Sequence, residues 1–189
     1  PMEGELDEAR FEKVFHYGAG LTFIQALRDA GGWAQVDRAF RSPPTNTAHI
    51  LHPDRYLAGW VPEDLSTLSS PECSCDEEPR GSRVLGEFGL SIFLARDEQT
   101  RPDSARIAAR LSGDLCYTVH DDKTGQDRWA WYLSFHDELA AADFLLATEA
   151  LGLDSWPLDD SGRRIGILVA TDPLPDPDGL DENAKEGEG

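Results

Sequence analysis

The sequence predicts an α+β protein: an N-terminal helical segment, then a β-α-β-β-α-β (ferredoxin-like) domain, then an acidic disordered tail. Three observations lead there. Apolar residues recur at three- and four-residue steps up to about residue 57. Prolines and serines break every period across 61–82. Beyond that stretch, runs with apolar residues at alternate positions exchange with helical runs. The expected organisation is a helical segment at 1–60, a linker at 61–82, an α+β domain at 83–171 and a tail at 172–189.

The first helix is expected over about Asp7 to Ala30, with Phe11, Val14, Phe15, Gly18, Leu21, Ile24 and Leu27 on its buried face. Gly31-Gly32 ends it, because glycine readily takes the left-handed cap conformation. A shorter helix over Trp33 to Phe40 would bury Trp33, Val36 and Phe40. Pro43-Pro44 stops it, and Thr45-Asn46-Thr47 offers caps for a brief turn through Leu51, closed by Pro53.

In the α+β part, Phe88, Leu90, Ile92 and Leu94 alternate, so Leu85 to Ala95 is expected to be a strand. Asp103-Ser104 caps a helix striped by Ile107, Ala108 and Leu111. Asp114 to His120 and Arg128 to Phe135 form a hairpin, the first with Leu115, Tyr117 and Val119 on one face, the second with Trp129, Trp131, Leu133 and Phe135. The turn between them contains Lys123-Thr124-Gly125. Asp137 caps a helix over Glu138 to Leu151, with Leu139, Ala142, Leu145, Leu146 and Ala150 as its stripe. Arg164 to Ala170 is the last strand. The tail holds seven acids, one lysine and three prolines, too polar a composition to fold alone.

The formal charge of -19, from 36 acidic and 17 basic residues, argues against nucleic acid, which needs clustered lysine and arginine. It equally disfavours anionic membrane surfaces. No run of about 18 apolar residues exists to span a bilayer. Only three cations are lysines, and aspartates outnumber glutamates 21 to 15. That surface suits a salt-loving organism and suits a high-GC genome equally well. Pro1-Met2 followed by Glu3-Gly4-Glu5 reads as the cut edge of a longer chain.

Few residues offer chemistry. His49 and His52, three apart, and the Cys73-Ser74-Cys75 pair are the candidate metal ligands; with Pro53 breaking the helix and no further ligand at a usual spacing, packing is the simpler role. His16, His120 and His136 read as packed or surface residues. No G-x-S-x-G elbow and no phosphate loop is present, so no catalytic or cofactor-binding residue is assigned.

Two blocks carry a family resemblance. The first runs Tyr17-Gly18-Ala19-Gly20-Leu21-Thr22-Phe23-Ile24, Gly31-Gly32-Trp33, Val36-Asp37, Ala39-Phe40, Pro43-Pro44, Thr47, Ile50-Leu51-His52-Pro53 and Tyr56-Leu57. The second comprises Leu85-Gly86-Glu87-Phe88-Gly89-Leu90, Gly113-Asp114 and the helix around Phe144. Together they resemble the C-terminal region of a family of uncharacterised HExxH-containing, zinc metallopeptidase-like (gluzincin-like) proteins. In such proteins His-Glu-x-x-His supplies two zinc ligands and a general base on one helical face. That motif is absent between Pro1 and Gly189, so no catalytic residue of the family falls on this chain.

The resemblance implies a non-catalytic C-terminal portion, structural or accessory to an HExxH domain elsewhere in the parent protein. Zinc belongs to that upstream domain and no cofactor to this chain; the expected partner is the upstream peptidase-like domain, or a second copy through the first helix. It also implies a parent of a kind often exported or membrane-tethered. The alternative is a stand-alone, non-enzymatic α+β module that binds a peptide or small ligand. A fragment should expose the apolar residues of its first helix; a module should bury them and show a concave, polar-lined site.

Overall fold

The computed structural model describes residues 14–68, 80–121 and 125–170. Phe11, the Lys123-Thr124 turn, Cys73, Cys75 and the acidic tail lie outside the described residues, as do the side chains of His16 and His120.

A π-helical turn, Val14–Ala19, runs directly into helix α1, Gly20–Arg41. The glycine pair interrupts α1 as expected: Gly31 is extended and Gly32 sits at φ 65°, the left-handed region glycine tolerates. The two arms fold on each other around Phe23, Leu27, Val36 and Ala39, with Ile50 and Tyr56 packed alongside. The buried faces differ from the expected ones. Leu21 is 60% exposed, Trp33 65% and Phe40 81%, while Phe23 and Ala39 take the interior positions.

Helix α2, Thr47–Leu51, starts where the sequence places it, with the Asn46 side chain accepting from the Ala48 N–H at 2.8 Å. Pro53 does more than close that turn. It occupies the first position of helix α3, Pro53–Leu57, where a missing N–H costs nothing.

The remaining strands and helices make a five-stranded antiparallel sheet with helices on one face. They are β1 (Arg80–Arg83), α4 (Gly86–Ala95), α5 (Ser104–Ala108), β2 (Leu111–Asp121), β3 (Gln126–Phe135), α6 (Glu138–Ala150), β4 (Asp154–Pro157) and β5 (Arg164–Val169). The strand order is β1-β2-β3-β5-β4. The β2–β3 hairpin pairs from Leu111↔Phe135 to Asp121↔Gln126, with a bulge between Leu111 and Gly113. Helices α4, α5 and α6 pack on the face carrying Cys116, Trp131, Leu133, Phe135, Ile165 and Ile167. The opposite face, with Leu115, Val119, Ala130 and Tyr132, is capped by Leu65 and Leu68.

The α+β class holds, but the described elements do not follow the ferredoxin-like order. Leu85 to Ala95 is not a strand; it is helix α4. Its residues are buried nearly all round, including Leu90, Ile92, Phe93 and Leu94, so the apolar run satisfies a two-residue and a helical period alike. The short edge strands β1 and β4 fall outside the expectation, and β1 begins in the stretch read as linker and ends one residue beyond it. Helix α6 also presents a different face. Ala140, Ala141, Phe144, Ala147 and Thr148 meet the sheet, and Leu139 and Leu146 point to solvent. Small side chains let the helix axis approach the sheet closely, and Phe144 fills the space beside Phe135 at 5.1 Å between ring centres. Among the described residues no helix is long and apolar enough to cross a membrane.

Candidate functional site

The chemistry of this chain concentrates where the N-terminal helices meet the sheet unit. Asp114 lies in β2 beside Cys116, both nearly inaccessible. Its carboxylate accepts three N–H groups: Gly86 at 3.0 Å on Oδ1, and Leu85 at 2.9 Å and the Trp131 indole at 3.0 Å on Oδ2. Burial pushes the Asp114 carboxyl upward against these three donors. Two of the donors open α4, so a strand residue holds the start of a helix.

Gly86 makes this approach feasible. It sits at φ 68°, and a Cβ there would lie 2.4 Å from the Thr47 hydroxyl oxygen. That hydroxyl instead accepts the Phe88 N–H at 3.1 Å. The next residue, Glu87, is buried and its Oε1 lies 2.7 Å from His52 Nε2, with the Arg55 guanidinium at 3.4 Å from Oε2. Burial raises the Glu87 carboxyl above its ordinary value, although His52 and Arg55 pull it down. Arg55 also donates to the Ala109 carbonyl at 2.9 Å and lies over the Trp60 ring.

The segment at 61–68 is tied down on the other side of the sheet. Glu63 Oε2 accepts the Ser134 hydroxyl at 2.7 Å, and Oε1 accepts from the Arg164 guanidinium. Burial works to raise the Glu63 carboxyl, but Ser134 and Arg164 outweigh it and hold it low. Its backbone carbonyl lies 2.2 Å from where a Gly113 Cβ would stand, so only glycine fits there.

The histidine candidates take separate partners. His49 is buried, its Nε2 2.8 Å from the Trp60 carbonyl and its Nδ1 accepting from the Thr45 N–H at 3.4 Å. That pattern selects the tautomer protonated at Nε2 and leaves neither ring nitrogen for a metal. His52 is engaged by Glu87. Among the described residues no group of three His, Cys, Asp or Glu side chains gathers to hold a metal ion. The described residues therefore do not fit a zinc site; Cys73 and Cys75 lie outside them.

A Ser112 Oγ to His136 Nδ1 contact of 3.0 Å is the nearest thing to a nucleophile and its base. Burial and the charges of Arg55, Arg110 and Arg163 hold the His136 imidazole below its ordinary pKa, despite Asp137. Among the described residues no carboxylate hydrogen-bonds this ring to orient it, and the pair lies at the surface, so the geometry of an acyl-transfer site is missing.

An open cleft of about 360 Å³ runs along the seam between Asn46-Thr47 and Val84-Leu85, lined also by Phe15 and Ile50. A smaller one of about 220 Å³ continues from Val84 toward Glu63 and Asp114. Sequence reasoning missed Glu63, Glu87 and Asp114, whose partners lie far along the chain. The available signal was an acid inside an otherwise apolar run, at Gly86-Glu87 and at Gly113-Asp114. No family model, curated protein or solved structure matches the chain.

Proposed function

We propose that this chain is a non-catalytic accessory unit that supports an HExxH domain of a zinc metallopeptidase-like protein, docking to it through the outer face of its N-terminal helices. The observation that carries the reading is the exposure of Tyr17 (78%), Leu21, Trp33 and Phe40, four large apolar side chains spread over the π-helical turn and the two arms of α1. Four large apolar side chains left in solvent within 24 residues give that outer surface the apolar character a docking partner would cover. The resemblance of residues 17–57 to the closing helices of that family names the partner. The polar seam at Asp114 and Glu87 is satisfied by partners within the chain, which suits a structural role.

The test begins with the reading frame upstream of Pro1. An His-Glu-x-x-His segment there, produced separately, should bind this chain one to one, and Leu21→Glu with Phe40→Glu should abolish the complex. A frame without that motif, or a complex indifferent to both substitutions, overturns the reading. Stoichiometric zinc in the purified chain would do so as well.

A second reading rests on the open cleft beside Asn46 and Val84: a stand-alone module that binds a peptide or small ligand there. It gains ground if the upstream motif is absent.

A further inference from the structure

Helix α6 is apolar on two sides, and only one of them is used by the fold. Ala140, Ala141, Phe144, Ala147 and Thr148 are buried against the sheet. On the opposite side Leu139, Ala142, Leu146 and Ala150 follow at steps of three and four, which aligns them in one stripe along the helix. Leu139 is 67% exposed and Leu146 66%. A helix apolar on both faces belongs between two partners, and here one partner is the sheet.

Charge says what the other partner carries. Between Glu138 and Ala150 there is no basic residue. At 100° per residue, Glu138 and Glu149 line one edge of the stripe and Asp143 the other. Asp143 is occupied by Arg106 at 2.6 Å and Arg110 at 3.3 Å. Glu138 and Glu149 have no ion pair among the described residues. A second copy of the chain seated antiparallel on the same stripe would bring Glu138 against Glu149, a like-charge contact. The alternation of leucine with alanine leaves shallow holes at Ala142 and Ala150 into which another helix's side chains can fit.

We infer that the outer face of α6 docks an amphipathic helix of a partner protein, one whose apolar stripe is flanked by lysine or arginine. This surface is distinct from the one on α1, because α6 contacts β3, β4 and α5, whereas α1 contacts α2, α3 and the π-helical turn. The inference therefore survives or fails independently of the accessory reading.

The probe is a synthetic helical peptide with leucines at i, i+3 and i+7 and lysines beside them; its twin carries glutamates instead. Anisotropy titration against the whole chain should show saturable one-to-one binding of the lysine peptide, weakened by added salt. The glutamate peptide should bind at least about tenfold more weakly. Leu139→Ser with Leu146→Ser should also cost about tenfold or more, with an unchanged circular dichroism spectrum, since both positions are exposed. Phe40→Glu should leave this binding intact. Equal binding of the two peptides, or no loss in the double variant, overturns the proposal. So does a dimer in light scattering that Leu146→Ser dissolves, which would make a second copy the occupant.

Discussion

The two halves of the molecule spend their apolar residues differently. The sheet unit encloses Trp131, Phe135 and Phe144 completely between β2, β3, β5 and three helices. Among the described residues the N-terminal helices enclose Phe23, Leu27, Val36, Ala39 and Ala48, and leave side chains as large as Trp33 and Phe40 in solvent. The first has a core that sustains itself. The second has a thin one, and its position depends on the polar seam through Thr47, His52 and Arg55. Polar contacts that look like a catalytic cluster in outline thus act as the joint between a strong and a weak part.

The largest test of this contrast is Phe144→Ala, expected to cost about 4 kcal/mol in urea unfolding, because a ring wholly enclosed between helix and sheet leaves a cavity. Next comes Asp114→Ala. Three buried N–H groups lose their acceptor, for a loss of about 3 kcal/mol, with a change in Trp131 fluorescence as its indole N–H is orphaned. Gly86→Ala is expected to cost about 2 kcal/mol, from the left-handed backbone and the Thr47 hydroxyl. Thr47→Ala in the same chain should recover part of it, a coupling of about 1 kcal/mol.

A pH profile sharpens the contrast further. Burial raises Glu87 in the folded protein, so the folded state holds this proton to higher pH than the unfolded chain does. Its contribution is most favourable in acid and falls away as pH rises from the ordinary carboxylate range through the raised folded value. Asp114 shifts in the same direction. Chemical denaturation in steps across that window should show a shallower slope in Glu87→Gln than in the native sequence. The smallest effect belongs to the outer helix face: Leu21→Ser and Phe40→Ser should change stability by no more than about 0.5 kcal/mol while removing association.

Local signals in the sequence translated well into structure. The caps at Asn46 and Asp137, the break at Gly31-Gly32 and the alternation Trp129, Trp131, Leu133, Phe135 each depend on neighbours within a turn or on one strand face. Where two periods fit the same residues, as at Leu90 to Leu94, the strand reading lost to packing from all sides. In α6 the bulkier stripe has the stronger helical period, yet the sheet selects the face that lets backbones approach, and that face is mostly alanine. The strands Arg80–Arg83 and Asp154–Pro157 are too short to show a period. The seam was invisible for a different reason. Asp114 serves residues 28 and 29 positions away, and Glu87 serves His52 across 35. Neither distance leaves a periodic trace.

The three N–H groups gathered by Asp114 also impose an order in time. The β2–β3 hairpin pairs Asp121 with Gln126, five positions along the chain, so its contacts are local and form on the microsecond scale expected of hairpins. The opening turn of α4 receives its acceptor only once that hairpin has placed Asp114, and α3 finds Glu87 only once α4 exists. Assembly of this chain should therefore run backwards along the sequence, from hairpin to α4 to the N-terminal helices. During synthesis residues 47–57 wait for the hairpin at 111–135.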